Sequence, residues 1–591
     1  MTADTVPAQV LDNGRKMPDH PAYYVKRGGA WHPTTWRQYA AEVRSAGKSL
    51  MALGLNPSDR VNILGFNRPE WAIMDVGAMA VGGVPAGIYT TNSPSECQYI
   101  VAHSEAPIVL LEDHSQWAKI NEVRHQLPDL RHVVMMKDAE PVDDELVMSW
   151  DEFMAKGSDI ADADFDARLN ALEGDDLATF IYTSGTTGPP KAVMLTHENV
   201  SWTPAQVIEP FGINASDRIV SYLPLSHIAE QSFTIAAAAR AGYSVYYAES
   251  IDALAENLKE VEPTIFFAVP RVWERFYAGV TAQLGHATGA KAKIADWARG
   301  VGRKVSDVRN RGGEPTGMLA AQYKLASALV FSKVKPALGL GKVRVAASGA
   351  APLATEIKEF FSGLDIIIWE VYGQSEDSGP TSFNLPGRTK FSGVGPAYPN
   401  VDVRIADDGE ILVRGKNVFK GYFKDEAATK ETLVDGWLYS GDLGEFDSDG
   451  FLSITGRKKD IIITAGGKNV APKNLEGGLK IHPLISEVVV IGDRRKYLSC
   501  LVTLDDEAAA GFLAQHDLEG PAHESTAIHA EIQAAVDRLN ADFARVEQIK
   551  KFAILPRQLS IEGGELTPTL KVKRNKVAEH FAAEIDAMYV D

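Results

Sequence analysis

Along the first two thirds of the chain, apolar residues come in short unbroken runs rather than in alternation. Val61–Phe66, Ile108–Glu112, His132–Met136, Leu177–Thr183, Arg218–Leu223, Thr264–Val269 and Val343–Ala347 are the clearest. Such runs predict strands buried on both faces, as in a largely parallel sheet. Stretches with helical spacing lie between them: Thr35–Leu53 puts Trp36, Tyr39, Ala40, Val43 and Ala46 on one side. Strands alternating with helices predict α/β layers. The apolar stretch from Val76 to Tyr89 contains Gly77, Gly82, Gly83, Pro85 and Gly87. It is expected as a buried helix and turn, since it is too short and too interrupted to span a bilayer.

After Phe391 the texture changes. Turn residues crowd in at Asp407-Asp408-Gly409, Val434-Asp435-Gly436 and Asp447-Ser448-Asp449-Gly450. They predict a small barrel-like antiparallel β subdomain of hairpins over 391–458. Beyond the charged segment Gly456–Asp460 a further α+β unit is expected, with strands at Ile461–Thr464, Val488–Ile491 and Leu501–Leu504. A helix follows whose apolar face carries Ile528, Ile532, Val536, Leu539 and Phe543. The expected organisation is a large N-terminal α/β body, 1–458, and a small C-terminal domain, 459–591.

Composition narrows the class without naming a function. The 591 residues are 45% hydrophobic and 23% charged, as in globular proteins. A net charge of −18 argues against binding polymeric nucleic acid, which needs a basic footprint. Two cysteines, Cys97 and Cys500, cannot build a disulfide framework or a four-thiolate zinc site, which suits a reducing compartment. The opening MTADTVPAQV lacks a basic segment followed by an apolar one, so no signal peptide is expected and the expected location is cytoplasmic.

Five segments carry candidate chemistry. In YTSGTTGPPKAVMLTH, Tyr182 to His197, an apolar strand runs into a loop of hydroxyls and glycines that ends at Lys191. Thr183, Ser184, Thr186 and Thr187 offer donors, Gly185 and Gly188 let backbone amides face an anion, and Lys191 adds a mobile charge for phosphate. The spacing is not that of a Walker A loop. In YLPLSHIAEQ, His227 follows a strand end, where ligands of open α/β sheets bind. SGAAPL, Ser348 to Leu353, has small residues that admit a flat ring. Following it, IIIWEVYGQSEDSG offers the aromatic Tyr372 and, in Glu376, a hard oxygen ligand suited to Mg²⁺. In YSGDL, Asp442 is expected at a tight turn where it can accept from both ribose hydroxyls, with Arg457 of GRKKD as a second contact. GGELTPTLKVKRNKV crowds Lys571, Lys573, Arg574 and Lys576 after Pro568.

Together and in this order, the motifs resemble the acyl-adenylate-forming superfamily, from about Tyr23 to Val577. Within it the chain is most similar to bacterial long-chain fatty acyl-CoA synthetases and their bubblegum-type relatives. The resemblance implies ATP-dependent activation of long-chain fatty acids to acyl-CoA, with ATP and coenzyme A as co-substrates and Mg²⁺ as cofactor. Thr183, Ser184, Gly185, Thr186, Thr187, Gly188 and Lys191 would hold the β- and γ-phosphates. Gly349, Ala350, Ala351, Pro352 and Tyr372 would flank adenine, with Gly373, Gln374 and Ser375 in the same ATP-binding set. Glu376 would reach Mg²⁺, and Asp442 and Arg457 the ribose. Lys571 would bridge the acyl carboxylate and α-phosphate, with Lys573 a minor rival. His227 would line the acyl site, and Lys459 would be the hinge of the small domain. Ala465, Gly466, Gly467 and Lys468 would line a pantetheine tunnel after rotation.

Departures from the pattern are Val371 for glycine, Ser375 for threonine, Leu570 for glycine, and Gln231 where some long-chain enzymes place a tryptophan gate. Fatty acyl-AMP ligases, which hand the acyl chain to a carrier protein, share the superfamily but carry an insertion that hinders rotation. No extra block stands between Glu376 and Gly456. The helical insert 276–340 contains a basic stretch, Ala290 to Gly313, with seven basic residues against Asp296 and Asp307. It is expected as a packed helix with a solvated basic face; the rival reading is a peripheral contact with anionic membrane.

Overall fold

The computed structural model describes residues 4–183, 189–285, 288–466, 468–567 and 571–590. It is a mixed α/β protein with a large N-terminal part and a smaller C-terminal domain. The first sheet has eight strands, ordered Gly421–Tyr422, Lys191–Thr196, Leu177–Thr183, Val84–Ile88, Arg60–Leu64, Ile108–Leu111, His132–Met135 and Val147–Met148. From Leu177–Thr183 onward, neighbouring strands run parallel. The unbroken runs follow from this position: Val61, Ile63, Leu110, Val133 and Phe180 are all fully enclosed. The stretch from Val76 to Tyr89 is not a helix and turn alone. It supplies the end of helix Pro69–Ala80 and the central strand Val84–Ile88.

Two four-stranded sheets complete the α/β body. One is ordered Arg218–Ser221, Ser244–Tyr247, Pro21–Arg27 and Ala30–Thr35, the other Ile265–Ala268, Val345–Ser348, Ile368–Tyr372 and Ser382–Phe383. Helix Trp36–Ala52 begins at a capping box in which Thr35 and Gln38 satisfy each other's backbone donors. It buries Trp36, Tyr39, Val43, Ala46 and Leu50. The hairpin region forms an antiparallel sheet ordered Asp402–Ile405, Glu410–Arg414, Trp437–Phe446 and Leu433–Val434. Leu452–Arg457 also pairs with Trp437–Phe446.

The C-terminal domain is built on the sheet Ile485–Ile491, Leu498–Leu504 and Ile549–Ile554. Helices Pro472–Lys480 and Thr526–Asn540 join its core through Leu475, Leu479, Ile528, Ile532 and Val536. The insert is packed with a largely solvated basic face, Lys291, Lys293, Arg303, Lys304 and Arg311 being exposed, and departs from the expectation at two arginines. Helix Gly289–Arg309 buries Val301 and Val305, but Ile294 is exposed. Arg309 turns inward to Asp365 at 3.0 Å, and Arg299 stacks over Phe360. Among the described residues, no helix is long and apolar enough to cross a membrane.

Candidate active site

A cavity of about 1940 Å³ opens between the large part and the C-terminal domain, and most of the predicted site residues line it. The acyl-side histidine is fixed from below. Strand Val84–Ile88 approaches the preceding loop so closely that a Cβ on Gly87 would stand 2.7 Å from Ser226 Cα. Asn67 holds the same loop: its side-chain amide donates to the Leu223 carbonyl at 2.7 Å and accepts from the Leu225 N–H at 3.2 Å. His227 then caps the short helix Ile228–Gln231, its Nδ1 accepting from the Ala229 N–H at 3.2 Å. An accepting Nδ1 leaves the proton on Nε2. Enclosure, reinforced by the Lys571 charge, pulls the imidazole down to about 4. The ring is a neutral N–H donor facing the cavity.

One turn further, Glu230 is buried and accepts from Ser221 and Thr234, each at 2.7 Å; burial raises it to about 7. Gln231 is buried and is not among the residues lining the cavity. The chain continues into a π-helical turn, Ser232–Ala237, a distortion common at functional sites. Phe233 and Ala237 of this turn, with Val207 and Ile208 of helix His197–Ile208, Ile213 and Tyr243, give one flank of the cavity an apolar lining.

The opposite flank is polar. Ala350, Ala351 and Pro352 line it, Ala350 with a left-handed φ of 68°. Gly349 does not: its Cβ position points at Val371 and Phe267. Glu370 accepts from the Leu353 N–H at 2.9 Å and pairs with Lys358, which ties this loop to strand Ile368–Tyr372. Gly373, Gln374 and Ser375 follow along the lining; at Gly373 a Cβ would collide with the Gly379 carbonyl, so the turn closes only without a side chain. Glu376 accepts from the Tyr422 hydroxyl through Oε1 at 2.8 Å, and among the described residues no donor meets its Oε2.

Asp442 stands not at a turn but inside the ten-residue strand Trp437–Phe446, where an irregularity in register with Gly441 at φ 72° turns it toward the cavity. Its Oδ1 accepts from Arg457 Nε at 2.9 Å and its Oδ2 from the Tyr372 hydroxyl at 3.1 Å. A carboxylate has about four acceptor positions, so room remains for two sugar hydroxyls. Thr183 and Lys191 lie in paired strands and both reach the lining; Lys191 sits 3.5 Å from Asp425 and over the Tyr422 ring. Ser184, Gly185, Thr186, Thr187 and Gly188 lie outside the described residues, as do Gly467 and Leu570.

From the C-terminal domain comes Lys571, water-accessible within the cavity and enclosed by its walls. Enclosure, with the charges of Arg457 and Lys473, brings its ammonium down to about 8. The loop carrying it is anchored by Glu565, which binds Arg557, accepts from the Ser560 N–H at 3.0 Å, and contacts His580 at 2.7 Å. Lys573 is not part of the lining. Lys459 is exposed at the rim, next to Lys458, which is bound to Asp408 at 2.6 Å and Glu410 at 2.8 Å. Ala465, Gly466 and Lys468 are exposed and away from the cavity. Sequence reasoning missed Tyr422, Glu230 and Lys473. The last had a signal: a lysine in the first turn of helix Pro472–Lys480 opposes the helix dipole.

The set suits a magnesium nucleotide. Mg²⁺ is commonly held by one or two carboxylates plus substrate phosphates, and Glu376 has an oxygen to spare. No cluster of three or more potential metal ligands exists among the described residues, so any ion here would rely on the phosphates.

Comparison with known proteins matches residues 10–423 to the family model described as AMP-binding enzyme, and residues 459–591 to the AMP-binding enzyme C-terminal domain. The chain is 39% identical to a long-chain-fatty-acid–CoA ligase, FadD15, of Mycobacterium tuberculosis, over 99% of this chain and 97% of that one. It is also 39% identical to the long-chain-fatty-acid–CoA ligase ACSBG2 of Xenopus laevis, over 98% and 82%. Among solved structures, the adenylation domain of a carboxylate reductase from Mycobacterium chelonae superposes with a TM-score of 0.76 at 20% identity, covering 99% and 91%. The anthranilate CoA ligase AuaEII bound to anthranoyl-AMP gives 0.73 at 19%, covering 99% and 98%.

Proposed function

The chain belongs to the AMP-binding enzyme family, and we propose that it is a long-chain fatty acid–CoA ligase acting through an acyl-AMP intermediate. The observation that carries the reading is one cavity with an apolar flank, a polar flank and Lys571 of the C-terminal domain reaching into it. A fatty carboxylate is a poor acyl donor because oxide would have to leave. In the first half-reaction its oxygen attacks the α-phosphorus of ATP, and pyrophosphate departs. In the second, the thiol sulfur of CoA attacks the acyl carbon of the mixed anhydride, and AMP departs with the bonding pair.

Both reactants of the first step are anions, so the protein's task is positioning and charge neutralisation. Asp442, with Arg457 and Tyr372, binds the ribose; Ala350 to Pro352, Tyr372, Gly373, Gln374 and Ser375 border the adenine, with Gly349 supporting them from behind. Thr183, Lys191 and the loop Ser184–Gly188 take the β- and γ-phosphates. Glu376 holds Mg²⁺, which when bound supplies positive charge to the phosphates. Lys571 bridges the carboxylate and α-phosphate, and His227 donates its Nε2–H on the acyl side. The acyl chain lies along Val207, Ile208, Phe233 and Ala237.

The second step needs another geometry, reached by rotation of the small domain 459–591 against the body 1–458. Lys458 is clamped by two carboxylates while Lys459 has no such tie among the described residues, which supports Lys459 as pivot. Rotation withdraws Lys571 and brings Ala465, Gly466, Gly467 and Lys468 toward the adenylate. Peripheral membrane contact belongs to the same reading. Met318, Leu325 and Leu329 share one helical face of the insert and are 75%, 53% and 41% exposed, near Lys324 and Lys333. Flotation with anionic liposomes, lost in Leu325→Glu, is expected; no flotation with anionic liposomes would remove this part.

The test of the reading is product analysis by mass spectrometry with Mg-ATP and fatty acids of graded length. Acyl-CoA and AMP are expected when CoA is supplied. Acyl-AMP accumulating with no acyl-CoA would instead indicate an acyl-AMP ligase.

A further inference from the structure

The cations lining the cavity divide into two groups. Most are already matched with carboxylates: Arg457 with Asp442 at 2.9 Å, Lys191 with Asp425 at 3.5 Å, Lys480 with Glu487 at 2.7 Å and Arg574 with Glu476 at 2.6 Å. Among the described lysines of the lining, Lys459, Lys473 and Lys571 have no ion-pair or side-chain hydrogen-bond partner. Lys459 is exposed at the rim. Lys473 is part-buried in the cavity lining, and Lys571 lines the same cavity close enough to feel the Lys473 charge.

Two ammonium groups placed near one another without counter-ions repel, and each loses hydration to the cavity walls. Burial accordingly pulls Lys473 below the ordinary lysine range, against the pull of Asp442, Asp460 and Glu476. Its place on the chain is adverse as well. Lys473 is the second residue of helix Pro472–Lys480, where the backbone dipole disfavours a cation. A missing negative charge resolves all three costs at once. The neighbours of Lys473 locate that charge. It responds to Asp442 and Arg457, the pair assigned to ribose, and not to Glu376; Lys571 responds to the same pair and also to Glu376 at the metal end. The phosphate bonded to ribose is the α-phosphate.

We infer that Lys473 is a second phosphate-binding lysine, contacting the α-phosphate of the nucleotide from the ribose side while Lys571 faces the incoming carboxylate. The inference rests on the adenylate reading above. It gives each anion its own lysine, so that neither has to share a donor as the two approach. Both lysines belong to the C-terminal domain, Lys473 at the start of one helix and Lys571 in the loop before helix Arg574–His580. Rotation therefore removes them together, and the charge that favours formation of the adenylate is gone when the thiol attacks.

Calorimetric titration with AMP and with adenosine isolates the phosphate. Lys473→Met is expected to weaken AMP binding about 10- to 100-fold, the worth of a charge-assisted hydrogen bond, and to leave adenosine binding unchanged. Lys473→Arg should restore AMP binding to within a few fold. Fatty-acid-dependent exchange of pyrophosphate into ATP should fall with AMP affinity, while thioester formation from supplied acyl-AMP stays near wild type. Equal weakening of AMP and adenosine would make Lys473 structural, and unchanged AMP binding would remove it from the site; either overturns the inference. If Lys473→Met lowers the melting temperature, Lys473→Gln provides the same comparison. Wild-type protein that binds adenosine and AMP equally would instead defeat the nucleotide reading itself.

Discussion

Arg457 and Asp442 face each other in register across two antiparallel strands, and the guanidinium Nε donates to the carboxylate at 2.9 Å. Tyr372 reaches the other oxygen of Asp442 from a different sheet. Asp442 thus joins the α/β body to the hairpin sheet at the cavity wall. Asp442→Ala should leave Arg457 unpaired, lower stability by about 1–3 kcal/mol, and raise the KM for ATP more than it lowers kcat. Unchanged KM for ATP, measured by pyrophosphate exchange, would separate Asp442 from the ribose.

Lys571 predicts a pH profile. In the proposed mechanism its ammonium is the active form, and its enclosure brings it down to about 8. Protonated lysine is present below that value, so kcat/KM for adenylation should fall as pH rises through about 8, the free-enzyme ionisation. Lys571→Arg keeps its charge across this range and should lose the alkaline limb at a lower overall rate. Lys571→Ala should cost about 100- to 1,000-fold in adenylation. An alkaline limb that persists in Lys571→Arg would assign it to another group.

The proposed domain rotation predicts that the two half-reactions respond differently to a stiffened hinge. With Lys459 as the proposed pivot, Lys459→Pro should slow thioester formation from supplied acyl-AMP more than adenylation, since Lys571 already lines the cavity. Equal loss in both half-reactions would place the pivot elsewhere. The ion pair between Arg271 of the body and Glu487 of the C-terminal domain, at 4.0 Å, also has to open during that motion.

Chain length should be set by the apolar flank. Ala237 is a small residue beside the larger Val207, Ile213 and Phe233 of the apolar lining. Ala237→Phe should lower kcat/KM for the longest acids by about 10- to 200-fold and spare short ones. Steady-state rates across acids of graded length decide it; a uniform drop at every length would mean that the acyl chain runs elsewhere.

Much of this was legible in the sequence for a physical reason. Strands such as Leu177–Thr183 are enclosed on both faces, so composition alone marks them. Val84–Ile88 was hidden because Pro85 and Gly87 are poor strand residues, yet the strand is central. Asp442 read as a turn because Ser440-Gly441-Asp442 has turn chemistry, while the ladder absorbs it as an irregularity. Glu230 and Lys473 were beyond a linear reading. Glu230 depends on Ser221, Thr234 and Asn67 meeting it in space, and Lys473 on a cavity formed with residues far along the chain.

The acyl-AMP intermediate is the central claim, and oxygen transfer tests it most directly. Fatty acid labelled with oxygen-18 in its carboxylate is converted with Mg-ATP and CoA, and the AMP is analysed by mass spectrometry. Attack of the carboxylate on the α-phosphorus, followed by release of AMP from the anhydride, predicts labelled oxygen in the phosphate of AMP. Acyl-CoA formed together with unlabelled AMP would contradict the account.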